Sequence, residues 1–146
     1  IIFENIKMIN VLTPLVINMF YFCDPDGKTE YVWSKEALPV DDRTPYLGEF
    51  YFKDIDCKGV NVAAGTFYGL PEQPIKKISI ENVHFEYSEN PIADCPAMMT
   101  GIEPMSNKGL IFYNVDEVVI DNVTLDNNLE QPYEITNVNR FDCLNK

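Results

Sequence analysis

Apolar and polar residues alternate along much of this chain, but the alternation repeatedly slips by one position at an asparagine or aspartate. In ISIENVHF (78–85), Ile78 and Ile80 alternate with polar neighbours and so share one face of a strand. After Asn82 the phase moves by one, and Val83 and Phe85 take over that face. The template is apolar, x, apolar, x, Asn/Asp, apolar, x, apolar. It is met at every position by IIFENIKM (1–8), FYFKDIDC (50–57), ISIENVHF (78–85) and VVIDNVTL (118–125). LIFYNVDE (110–117) and YEITNVNR (133–140) match all but its last apolar position. About one full match is expected by chance for this composition, so four full and two near matches define a repeat.

Each unit reads as two short strands joined by a one-residue bend, at Asn5, Asp54, Asn82, Asn114, Asn122 and Asn137. Asn and Asp tolerate the left-handed conformation and bond nearby backbone, so they turn a chain in minimum length. One bent pair cannot bury its apolar side alone, whereas stacked copies bury it against one another about 4.8 Å apart. Stacking would also let the bend amides hydrogen-bond along the stack. The expected fold is therefore all-β, a right-handed parallel β-helix or solenoid. A β-sandwich competes, but successive strands lack hairpin turns of Asn-Gly or Asp-Gly type. Helix has little room, and only SKEALP (34–39) reads as a helical turn, ended by Pro39.

The whole chain, 1–146, is expected to form a single domain with two loop insertions, at about 24–48 and 88–109. In solenoids such insertions leave from one face and often build the binding surface. LVINMFYFC (15–23) reads as a buried strand, far too short for a membrane span. GTFYGLPEQPI (65–75) reads as a structured bend between coils, with Glu72 a candidate acid. The first coil opens on an unpaired apolar strand, which is expected to pair with another copy or with preceding coils.

Composition adds constraints. Hydrophobic residues make up 46% of the 146, enough for a core. The net charge of −12, from 23 acidic and 11 basic residues, argues against a nucleic-acid partner. Cys23, Cys57, Cys95 and Cys143 lie far apart with no C-x-x-C pair, so no metal is expected and the thiols are read as free or buried. DPDG (24–27) lacks the later ligands of a calcium loop and reads as a turn. Asp41 and Asp42 are adjacent and point to opposite sides of an extended chain, so they form a solvated loop with Arg43 as counter-ion rather than a catalytic pair. His84 falls on an outward position. No catalytic residue and no cofactor is assigned. Phe20, Tyr21, Phe22, Tyr31 and Trp33 flank the first loop, and sugar rings stack on such aromatics. If Phe20 and Phe22 face inward, Tyr21 faces out. Tyr21 and Trp33 are the candidate substrate-binding residues.

Nearly the whole chain resembles the C-terminal portion of the polygalacturonase family, glycoside hydrolase family 28. ENIKMINVLTPLVINMFYFCD (4–24) is similar to the family segment in which an apolar strand ends in a Tyr. RTPYLGEFYFKDIDC, AAGTFYGLPEQPIKKISIENVHF and GLIFYNVDEVVIDNV resemble its later coils. The resemblance implies the C-terminal coils of a larger β-helix acting on α-linked galacturonic acid in pectin by inverting hydrolysis, outside the cell or in the periplasm. It places Tyr21 at a substrate-contacting position. The family's Asn-Thr-Asp, Gly-Asp-Asp, Ser-His-Gly and Arg-Ile-Lys motifs do not occur here. The chain alone is therefore expected to be inactive, with a parent enzyme acting on acidic polysaccharide. The alternative is a non-catalytic β-helical carbohydrate-binding or structural module.

Overall fold

The computed structural model describes residues 1–126 and 129–145. The described residues form seven strands and one helical turn: β1 (Ile2–Ile9), β2 (Leu15–Asn18), α1 (Glu30–Trp33), β3 (Glu49–Val60), β4 (Ala63–Tyr68), β5 (Ile75–Tyr87), β6 (Lys108–Thr124) and β7 (Tyr133–Cys143). All seven strands belong to one sheet, and every pairing between them is parallel.

All six expected bend residues have left-handed φ, between 50° and 58°. The bends are what make the octads stack. Asn82 is skipped in the pairing of β5 with both neighbours, so the residues on either side stay in register. Phe52 pairs with Ile80 and Ile80 with Ile120 before the bend, and Ile55 with Val83 and Val83 with Val123 after it. β1 joins the same stack through Phe3 on Phe52 and Ile6 on Ile55. The two incomplete octads stack on each other instead, with Leu110 on Tyr133, Phe112 on Ile135 and Val115 on Val138.

Two limbs of the sheet thus meet in β6. Its first half pairs with β4 and its second half with β5, while β7 runs along both. The sheet curls so that the limbs face each other. Phe52 of β3 lies 5.6 Å from Phe67 of β4, although the two strands do not pair. Phe67 stacks on Phe112 at 5.1 Å and 7°, within a core of Ile, Val and Phe from the inward octad positions. Aromatic pairs at such spacing add about 0.5–1.5 kcal/mol beyond the area they bury. Outside, registered neighbours carry opposite charge, as in Lys77–Glu117 at 3.1 Å.

Three local expectations are corrected. The strand expected over 15–23 stops at Asn18, whose side-chain oxygen accepts from the Phe20 N–H at 2.7 Å and turns the chain. The helical turn lies at Glu30–Trp33, not 34–39, and ends where Ser34 becomes extended. The bend expected over 65–75 begins inside β4. All six β4 residues are buried, and a strand covered on both faces shows no alternation to read. Gly65 fits there because a Cβ would sit 3.0 Å from Leu110.

The insertions occupy 19–48, with α1, and 88–107, close to the expected bounds. At the other end of the stack, β1 and β2 leave one edge each without a neighbour among the described residues. Between them the core opens into a cavity of about 500 Å³ lined by residues such as Phe3, Ile6, Met8, Leu15 and Phe50. Ile2 and Ile9 are 66% and 71% exposed beside it.

Candidate functional site

The first insertion folds over the end of β2 and leaves a cleft of about 410 Å³. Its construction starts at Phe20, buried with Tyr68, Met99 and Ile111 in a second small core. The Phe22 N–H donates to Met98 O at 3.3 Å and the Thr100 N–H donates to Phe20 O at 2.8 Å, so the two insertions bridge antiparallel at Tyr21 and Met99. Extended backbone with Phe20 inward turns Tyr21 outward onto the cleft wall. It is 42% exposed there. Phe22 does not follow Phe20 inward and is exposed.

Asp24–Gly27 then forms the expected turn, closed by the Gly27 N–H donating to Asp24 O at 2.9 Å. A side chain at Gly27 would bring its Cβ within 2.5 Å of the Phe22 backbone, so glycine permits this close return. The turn presents Asp24 and Asp26 to the cleft. The Tyr21 hydroxyl donates to Asp24 at 2.9 Å, and this bond raises its pKa. The phenol stays neutral and its orientation is held from one side.

From the turn the chain enters α1. Successive helical residues are about 100° apart, so positions 31 and 33 point to nearly opposite sides. Tyr31 lines the cleft, 65% exposed, whereas Trp33 lies outside its lining. Of the two aromatics that flank the loop on this side, the cleft therefore takes Tyr31 and not the expected Trp33. Lys35 locks this arrangement. Its ammonium donates to Gly101 O at 3.2 Å and Thr100 O at 3.4 Å and sits 4.7 Å from the centre of the Phe20 ring, tying the first insertion to the second. Burial lowers its pKa.

The far wall carries Glu36, Asp41, Arg43 and Glu72. Asp41 and Arg43 pair at 2.6 Å in solvent, and Arg43 holds the Asp41 carboxyl below the usual range. The counter-ion reading of that loop is therefore the observed one. Glu72 arrives from the segment after β4, and its Oε2 is buried without a hydrogen-bond partner among the described residues. Nothing in its local sequence separates it from an ordinary loop acid; only the return of 70–72 to the cleft does so.

Elsewhere the outward reading of His84 agrees with its exposure. The four cysteines are free, with Cys57 buried and Cys23 and Cys143 exposed. No cluster of three or more His, Cys, Asp or Glu suited to a metal ion occurs among the described residues. No helix among them is long and apolar enough to cross a membrane.

The cleft can hold a polar ring. Tyr21 and Tyr31 offer aromatic faces, and carboxylates accept from hydroxyls. No family model, curated protein or solved structure matches this chain.

Proposed function

We propose that this chain forms the C-terminal coils of a larger right-handed parallel β-helix, a glycoside hydrolase resembling polygalacturonases, and that its cleft is a sugar-contacting surface. The observation that carries this reading is Tyr21. It stands at the position the resemblance marks for substrate contact, is turned outward by buried Phe20, and is oriented by Asp24 on the wall of a cleft built by the first insertion. The parent would cleave α-linked galacturonic acid in pectin by inversion, with one carboxyl as general acid and others activating water. None of the acids on this chain is given that role. Its own residues bind and orient, and the enzyme would work outside the cell or in the periplasm.

The test is binding of a galactose-series trisaccharide to the 146-residue chain, followed by NMR. Shifts confined to residues around Tyr21 and Tyr31, lost in Tyr21→Ala, support the reading. Saturating shifts elsewhere in the molecule refute it. Release of reducing ends from polygalacturonate by this chain would contradict its assignment as non-catalytic.

A second reading rests on a different observation: the cleft is lined entirely by the first insertion and the segment after β4. A non-catalytic β-helical carbohydrate-binding or structural module would need nothing more. A natural gene product that binds the trisaccharide and encodes no further coils beside this chain would favour it over the hydrolase.

The open end of the stack also needs a partner. In a longer enzyme the preceding coil lies on β1 and β2. In this chain alone the edge pairs with a second copy. Two β1 strands laid antiparallel with Glu4 opposite Lys7 also set Ile2 opposite Ile9 and Phe3 opposite Met8, so both charge and apolar surface match.

A further inference from the structure

We infer that the cleft selects an uncharged sugar ring and rejects a free uronate carboxylate. The inference rests on the sugar-contacting reading of the cleft and deepens it, because the same walls decide which sugars enter. Five carboxylates line the space, those of Asp24, Asp26, Glu36, Asp41 and Glu72. Among the described residues Arg43 is the one cation on the wall, and it is already spent on Asp41. Lys35, the nearest lysine in sequence, is directed instead to the carbonyls of the second insertion and the Phe20 ring. A ligand carboxylate would therefore meet like charge with no free cation to receive it.

The same walls suit a neutral ring. Carboxylates accept from sugar hydroxyls, and Glu72 Oε2 is a buried acceptor without a partner among the described residues. Such a group carries an unmet desolvation cost, which a hydroxyl donor relieves. The exposed faces of Tyr21 and Tyr31 take the C–H surface of the ring. The net charge of −12 adds a long-range repulsion of the same sign. In a pectic polymer the residue at this place would be a neutral sugar or a methyl-esterified uronate.

The test compares three trisaccharides on the full 146-residue chain by calorimetry at low salt: neutral galactose units, free galacturonate units, and the same galacturonate units fully methyl-esterified. The neutral and esterified probes are expected to bind, and the free acid at least about tenfold more weakly, with the gap closing at high salt as like charges are screened. The double variant Asp26→Asn/Glu36→Gln is expected to narrow that gap. Binding of the free acid as tightly as its ester would overturn the selectivity while leaving sugar binding intact. Binding of none of the three would overturn the sugar-contacting reading, and the selectivity with it.

Discussion

The side-chain amide of Asn122 donates to the side-chain oxygen of Asn82 at 2.8 Å, and the Asn82 amide donates in turn to Asp54 at 3.1 Å. The other limb repeats the device, with Asn137 donating to Asn114 at 3.0 Å and Asn114 to Gly69 O at 2.9 Å. Bend conformation and ladder contact are separable by substitution. Asn82→Gly keeps the positive φ and loses the bonds, at about 1–2 kcal/mol. Asn82→Ala also incurs the left-handed strain and should lose about 2–4 kcal/mol. Urea midpoints of the two variants check the order; equal losses would mean the backbone strain contributes nothing.

Cys57 lies wholly buried on the inward face of β3, paired with Met8 and Phe85. Burial pushes its thiol up from 9.0 to about 12. The folded state therefore keeps a proton that the unfolded chain releases above pH 9, and stability falls as pH rises from 9 toward 12. Alkaline melts of the wild type should show this loss, and Cys57→Ala should shift it upward after its own packing cost. In a native thiol assay Cys23 and Cys143 should react first and Cys57 only on unfolding.

Replacing Lys35 by Met keeps the apolar stem against Phe20 but removes the donor to Thr100 and Gly101. Stability should drop by about 1 kcal/mol. The sharper readout is local: amide exchange at Thr100, which donates to Phe20 O, should accelerate while exchange in β5 stays unchanged. Uniform acceleration across the sheet would show that the lysine supports the whole fold rather than the junction of the insertions.

The open apolar end makes self-association depend on concentration. Light scattering should show the mass rising from monomer toward dimer, and the double charge substitution Ile2→Lys/Ile9→Lys should suppress the rise without lowering the melting temperature by more than a few degrees, because both side chains are mostly exposed. A strictly monomeric wild type across a wide concentration range would remove the second-copy pairing.

What the sequence by itself determined was local and periodic. A period of two interrupted at Asn or Asp specified the six bends, the inward residues of each octad and the parallel stacking of the four full repeats, because alternation and left-handed tolerance are properties of single residues and their neighbours. It also placed both insertions, and set Tyr21 outward opposite Phe20. Tertiary structure alone decided the rest. β4 carries no alternation because both of its faces are covered, and the incomplete octads stack on each other because β6 passes from one limb to the other. Tyr31 rather than Trp33 reaches the cleft because four residues take a helical turn where an extended chain would have kept them on one side. Glu72 joins the same space only when the segment after β4 folds back toward the first insertion. Each of these outcomes depends on contacts between residues far apart in the chain, and no local pattern records which distant surface a residue will meet.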